Sequence, residues 1–289
     1  INKASNYLKN MDNMNFPDIN INIKNLLSSL NNALYLPNNI NKFIQNCTNL
    51  ANQNDPESQY NLGIIYLNGE YVTQDINKAI FYLELSANQN FMKAILDLGK
   101  IYFQGKYVPR DINKLIHYYE LASNQNDAFA QYSLGLFYNE GIHIKNDIQK
   151  TIHYLSLAAN QNHCDSLYHL GLIYYENKYI QRDMNKSIQY FTQAASKNHS
   201  NSQYYLGLIY YENKYVRRDI NKSIYYFTQA ANQNDKNSLF SLGIIYYEQK
   251  NVNKFIHYFT QAAIQNHPSA QHNLGTIFYN NEYVKVDIE

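Results

Sequence analysis

The dipeptide Leu-Gly recurs down this chain at a fixed step, and that step constrains the fold more than any other feature. It falls at residues 62–63, 98–99, 134–135, 170–171, 206–207, 242–243 and 274–275, so successive copies start 36, 36, 36, 36, 36 and 32 residues apart. The stretch LGLIYYENKY occurs twice unchanged, at 170–179 and 206–215. A repeat of this length is one supersecondary unit that cannot bury its apolar face alone, so the copies must stack on one another through a common surface. Other columns keep the register. An aromatic stands three residues after each Gly (Tyr66, Tyr102, Tyr138, Tyr174, Tyr210, Tyr246, Phe278), and a small residue four before each Leu (Ser58, Ala94, Ala130, Ser166, Ser202, Ser238, Ala270). Asp75-Ile-Asn-Lys78 is echoed at Asp111, Asp147, Asp183 and Asp219.

Each unit reads as two helices. In the first full copy the spacing predicts helix A over about 57–68 and helix B over about 76–88. Asp55 and Asp75 are the candidate N-caps, and Pro56 suits a first helical turn. The small, Leu and aromatic columns lie at i, i+4 and i+8, which places them on one buried stripe. Ile76, Ile80, Leu83 and Ala87 form the matching stripe of helix B. Helix A ends at Gly69, Gly105 and Gly141, then at Asn177, Asn213 and Asn281 in later copies, as a left-handed C-terminal turn requires; Gln249 is the exception. The polar run Asn88-Gln89-Asn90 turns the chain into the next helix A. A Gly inside a helix costs about 1 kcal/mol against Ala. Its return in every copy predicts that a side chain there would push the paired helix away.

With these columns in hand, the chain resembles the Sel1-like repeat proteins, relatives of the tetratricopeptide repeats. The clearest copy is LGKIYFQGKYVPRDINKLIHYYELA at 98–122. The resemblance covers about residues 38–289, in copies near 56–91, 92–127, 128–163, 164–199, 200–235, 236–267 and an incomplete 268–289. It implies an all-α fold: a right-handed α-α superhelix, or solenoid, of about seven helix-turn-helix repeats, with helices A lining a concave face. It also implies a non-enzymatic scaffold or adaptor role. The copy near 236 reads YEQKNVNKF after Tyr246 and lacks the Tyr-Val-x-x-Asp linker, so a local change of the superhelix is expected there. Residues 1–37 fit poorly. INKASNYLK reads as a decayed helix B, and NIKNLLSSLNNALYL as a helix. Val286-Asp287-Ile288-Glu289 stops where another helix B should begin, which implies either a longer protein or a partner covering the ends.

Composition excludes little but points the same way. The net charge of +1 gives no pull toward nucleic acid or anionic membrane. The 30 Tyr, absent Trp and abundant Asn follow AT-rich codon usage. Two cysteines, Cys47 and Cys164, make no disulfide framework, and a cytoplasmic setting is expected. No apolar run reaches membrane-spanning length. No phosphate loop, Gly-x-Ser-x-Gly, HExxH or CxxC pair is present, so neither an enzyme nor a cofactor is expected. The cluster His163-Cys164-Asp165 with His169 has metal-ligand types, but His163 shares its column with Asp55, a capping position.

Two features point to a partner. The linkers carry a basic series, densest at Lys178, Arg182, Lys214, Arg217 and Arg218. Helix A carries aromatics outside the buried stripe: Tyr60, Tyr132, Tyr168, Tyr204 and Phe240 two before Leu, and Phe103, Tyr175, Tyr211 and Tyr247 four after Gly. Seven residues apart, the two columns share a helix face, and tyrosine is enriched at binding hot spots. The same rings also suit packing between neighbouring helices A. The residue before each Leu varies most (Asn61, Asp97, Ser133, His169, Tyr205, Ser241, Asn273), as a specificity column would. A monomeric scaffold taking a protein, peptide or partner helix in its groove is the reading these features support. A docking arm of a larger enzyme, such as a kinase, and a single-stranded RNA reader of one base per repeat are its rivals.

Overall fold

A computed structural model describes residues 37–69, 71–141 and 145–279. The expected helices at 1–36, the Asn281 cap and the C-terminal linker lie outside the described residues. Within them the chain forms fourteen α-helices and no strand. They are α1 (Pro37–Asn52), α2 (Pro56–Asn68), α3 (Ile76–Asn88), α4 (Met92–Gln104), α5 (Ile112–Asn124), α6 (Ala128–Glu140), α7 (Ile148–Asn160), α8 (Cys164–Glu176), α9 (Met184–Ser196), α10 (Ser200–Tyr211), α11 (Ile220–Ala231), α12 (Lys236–Glu248), α13 (Val252–Ile264) and α14 (Pro268–Tyr279). Even-numbered helices are the A helices and odd-numbered ones the B helices. The chain divides after Ala158, inside α7, into two compact units.

Capping chemistry starts most of these helices; α4, with Phe91 at its N-cap, has no side-chain cap. Asp55 accepts a hydrogen bond from the Ser58 amide at 2.7 Å and starts α2. Asp75, Asp111, Asp183 and Asp219 accept from the amides of Lys78, Lys114, Lys186 and Lys222, each at 3.0 Å. Asp147 does the same for Lys150, and Asn251 takes over the role in the short copy. Gly69, Gly105 and Gly141 adopt the left-handed conformation at φ 67°, 65° and 65°, and Asn177 and Asn213 substitute at 54° and 51°. In the short copy Gln249 stays right-handed at φ −77°, and Lys250 turns the chain at φ 57°. The B-to-A turns use a second left-handed series, Asn54, Asn90, Asn126, Asn162, Asn198, Asn234 and Asn266. Asn tolerates this region better than other residues with a side chain.

The helix-A glycine explains itself in the packing. A methyl group on Gly63 would lie 2.6 Å from Leu83 Cγ, on Gly99 2.4 Å from the Tyr119 ring, and on Gly135 2.7 Å from Leu155 Cγ. In the second unit the same position meets Phe191, Phe227 and Phe259 at 2.6, 2.5 and 2.4 Å from Gly171, Gly207 and Gly243. Each of these B residues is completely buried. The bulky side chain of helix B therefore lies in the space that glycine vacates, and the two helices approach closely. Ser187 and Ser223 add hydrogen bonds from Oγ to the carbonyls of Gly171 and Gly207, both at 2.9 Å.

A third recurring device closes each A–B pair. The amide at the helix-B N-cap donates to the carbonyl of the helix-A aromatic: Asp75 to Tyr66, Asp111 to Tyr102, Asp147 to Tyr138, Asp183 to Tyr174 and Asp219 to Tyr210. That aromatic stacks on a helix-B tyrosine within 14° of parallel, as in Tyr102–Tyr118, Tyr138–Tyr154, Tyr174–Tyr190 and Tyr210–Tyr226. The lysine of the Asp-x-x-Lys motif lies over the same ring, with Nζ 4.4–5.1 Å from the centroid in the pairs Lys78–Tyr66, Lys114–Tyr102, Lys150–Tyr138, Lys186–Tyr174 and Lys222–Tyr210. The short copy keeps all of this. Asn251 donates to Tyr246, Tyr246 stacks on Tyr258, and Lys254 covers Tyr246. The four missing residues shorten the excursion of the turn, and the helix pair itself is retained.

Candidate functional site

Helix A presents its aromatic columns differently in the two units. In unit 1, Tyr60 is 3% exposed and donates its hydroxyl to Asp97 Oδ2 at 2.9 Å. Burial, together with the Asp97 carboxylate, pushes the Tyr60 hydroxyl well above the usual phenol range. Phe103 is 6% exposed, in edge contact with Phe137, and the exposed Arg110 guanidinium covers it at 4.5 Å. These two rings belong to the packed interior. Tyr132 is half-buried.

Unit 2 gathers the remaining aromatics on the A helices α8, α10 and α12. Tyr168 lies 4.9 Å from the His199 ring, 6.0 Å from Tyr205 and 6.1 Å from Phe191. Tyr175 meets Tyr205 at 5.6 Å and Tyr215 at 6.2 Å, both edge-on. Tyr204 contacts Tyr205 and Phe227 at 5.7 and 5.8 Å. Tyr205, read in the sequence only as a member of a variable column, is thus the hub, stacked on buried Phe191 at 5.2 Å and 15°. Tyr168, Tyr175, Tyr204, Tyr205 and Tyr211 are half-buried. Phe240 stacks on His267 at 4.4 Å, and Tyr247, 42% exposed, meets Phe255 edge-on at 5.3 Å.

Most of the basic linker residues border this cluster and are already engaged. Arg182 donates from Nε to the Tyr175 carbonyl and lies 4.4 Å from the Tyr215 centroid. Arg218 pairs with Glu248 at 2.7 Å across consecutive repeats and covers Tyr211 at 4.8 Å. Tyr211 also donates to Glu248, and this hydrogen bond, with Arg218, holds the Glu248 carboxyl below the ordinary glutamate range. Burial and the same contact raise the Tyr211 hydroxyl to about 12. Lys178 and Lys214 lie over their neighbours Tyr179 and Tyr215 at 4.4 and 5.0 Å, and Arg217 is exposed. A cleft of about 540 Å³ opens beside Arg182, lined by Gln181, Asp183, Met184, Asn185 and Tyr215.

The histidine cluster has structural work. His163 accepts from the Ser166 amide through Nδ1 at 3.3 Å, the capping role its column implies. His199 caps α10 in the same way and pairs through Nε2 with Asp165 at 3.3 Å, which lowers the Asp165 carboxyl. Desolvation lowers His169 to about 4. Among the described residues no three His, Cys, Asp or Glu side chains gather into a metal-holding group, and no helix is long and apolar enough to cross a membrane. Cys47 and Cys164 are free.

Paired helices of fixed period, each repeat locked to its own B helix and stacked on the next, define an α-solenoid of helical repeats. The Sel1 repeat model matches residues 56–91, 93–127, 128–163, 164–199, 200–235, 238–267 and 268–289, and the chain belongs to the Sel1 repeat family. Sel1 repeats generally serve as protein–protein interaction scaffolds, which makes proteins the expected class of partner. Among solved structures, a Sel1 repeat protein from Oxalobacter formigenes is 27% identical, with a TM-score of 0.61 over 80% of this chain and 68% of that one. The protein c5321, a protective antigen of uropathogenic Escherichia coli strains, shares the fold with a TM-score of 0.73 and 24% identity over 82% of this chain. The match spans about half, 52%, of that protein's length. No curated protein matches the chain by sequence.

Proposed function

We propose that this protein is a non-catalytic scaffold that takes a peptide or partner helix on its helix-A faces, with the aromatic shelf of unit 2 as the principal site. The observation that supports this is the set of half-open rings on α8, α10 and α12: Tyr168, Tyr175, Tyr204, Tyr205 and Tyr211, continued by Phe240 and Tyr247. Their packed edges hold each ring in place before any partner arrives, so little side-chain entropy is lost on binding. Their remaining exposed area is aromatic and has a polar rim, the anatomy of a hot spot. Arg182, Arg218 and the exposed Arg217 supply that rim, beside the cleft at Tyr215. Tyr60 and Phe103, packed inside unit 1, take no part in this contact, and Tyr132 is half-buried.

The test uses the full chain as immobilised bait in native lysate. Wild type is compared with a variant carrying Tyr175→Ala, Tyr211→Ala and Tyr247→Ala, after circular dichroism shows equal helicity. A protein retained by wild type and lost from the variant is the expected result. Equal retention of every captured protein would remove the shelf as the site.

A further inference from the structure

Unit 2 writes one side-chain arrangement twice and completes it once. Tyr211 ends α10, and Arg218 follows in the linker, 4.8 Å from the Tyr211 ring. Arg218 donates from Nη2 to Glu248 Oε2 at 2.7 Å, and the Tyr211 hydroxyl donates to Oε1 of the same carboxylate. A tyrosine and an arginine of one repeat thus hold a glutamate that closes α12, a helix of the next. One period earlier the same columns read Tyr175, near the end of α8, and Arg182. Arg182 lies 5.9 Å from the Tyr175 ring and donates from Nε to the Tyr175 carbonyl. The matching glutamate is Glu212, and it forms no ion pair with Arg182. Among the described residues neither the Nη donors of Arg182 nor the Tyr175 hydroxyl has a hydrogen-bond partner.

The linker marks the difference between the two copies. Between α10 and α11 it carries Tyr215, which lies over the Arg182 guanidinium at 4.4 Å. The short copy after α12 lacks this linker, and there the glutamate reaches the arginine. A cation–π contact uses the face of a guanidinium and leaves the in-plane N–H groups for an acceptor. The cleft of about 540 Å³ opens beside Arg182 and Tyr215. Asp183 also lines it, but its carboxylate is committed to α9: it accepts from the Lys186 amide at 3.0 Å and lies 3.9 Å from the Lys186 ammonium. No carboxylate of the described residues lies within 4 Å of the Arg182 guanidinium.

We propose that Arg182 and Tyr175 form an acid-recognition site, in which the cleft takes an aspartate or glutamate side chain of the partner peptide as Arg218 and Tyr211 take Glu248. An arginine and a tyrosine hydroxyl together give a carboxylate two charge-assisted hydrogen bonds, which are shorter and stronger than neutral ones. An amide of the same shape loses the charge on which both depend. The proposal rests on the reading of unit 2 as a peptide-binding surface and adds what that peptide must carry.

Random peptides displayed on phage, each fused to the coat protein at its C-terminus, are selected on the full chain, so that any acid recognised is a side chain. Peptides that bind wild type and not the variant with Tyr175→Ala, Tyr211→Ala and Tyr247→Ala are directed to the shelf. They are expected to share an Asp or Glu at one position. In a synthetic peptide from that set, changing the acid to its amide should weaken binding to wild type about tenfold. The same change should leave binding to an Arg182→Gln variant unaltered, because the two substitutions remove one interaction. Gln74 stands in the column of Arg182 and donates to the Leu67 carbonyl at 2.7 Å, so glutamine keeps the backbone contact and removes the charge. Should Arg182→Gln lose helicity, phenylglyoxal modification of Arg182 in wild type decides the matter. The acidic peptide should slow it, and the amide peptide at equal occupancy should not; equal slowing by both would overturn the proposal. Shelf-directed peptides with no shared acid, or an acid whose loss weakens binding to both proteins equally, would overturn it and leave the shelf in place. Recovery of no shelf-directed peptide would remove the shelf and this proposal together.

Discussion

At the helix-A glycine a single hydrogen atom allows a repeat to close. Gly171→Ala and Gly207→Ala each drive a methyl into a fully buried phenylalanine ring, which cannot retreat from the core. Each should destabilise the chain by about 1–3 kcal/mol, the usual range for overpacking, read from the midpoint of urea unfolding. Gly275 has nothing within 4 Å of the equivalent position among the described residues. Gly275→Ala should instead be neutral or stabilising by up to about 1 kcal/mol through helix propensity. His169 carries a pH prediction. Its folded-state value is depressed from 6.5 to about 4 by desolvation, so below pH 6.5 the unfolded chain binds the proton that the folded chain refuses. Stability should therefore fall as pH drops from 6.5 toward 4, by up to about 3 kcal/mol at full effect. A His169→Asn variant should show a shallower pH dependence of its thermal midpoint. The caps were legible at this scale because a cap is a local bond between residues three apart. The hub role of Tyr205 was not, because its partners Phe191, Tyr168 and Tyr175 come from a neighbouring repeat.

Among elements, the A–B pair is the unit that holds. The Asp-x-x-Lys motif does two jobs: Asp caps helix B, and Lys covers the stacked tyrosine pair. Asp183→Ala should cost about 1 kcal/mol through the lost cap. Lys222→Met, which keeps the apolar stem and removes the charge over Tyr210, should cost about 0.5–1 kcal/mol, measured in parallel melts. The cap half of the motif could be read from the sequence. The cation over the ring could not, since it depends on how the A–B turn folds the lysine back onto the preceding helix. The basic linker series shows the same limit. Arg182 and Arg218 looked like an open charged edge, but the fold brings Tyr215 to one and Glu248 to the other.

Across the whole molecule, stability in a repeat array is close to a sum of repeat and nearest-neighbour contributions. Phe227→Ala empties the space opposite Gly207 and should cost about 3–5 kcal/mol. Hydrogen exchange should then accelerate most in α10, α11 and α12, and least in α2 to α4. Equal acceleration throughout would show that the array unfolds as one cooperative body. Function at this scale follows from exposure. Most of the column positions that are buried on unit 1 are half-buried on unit 2, so the repeats are alike in how they pack and unlike in what they expose.

The number of repeats, the two helices in each, their caps, their left-handed turns and the reason for the inner glycine all follow from the sequence, because each rests on residues within one period. The tertiary structure decided which tyrosines are core and which are half-buried, and which arginines are already paired. Those outcomes depend on contacts between repeats. A column that reads the same in every copy carries no record of what lies across from it.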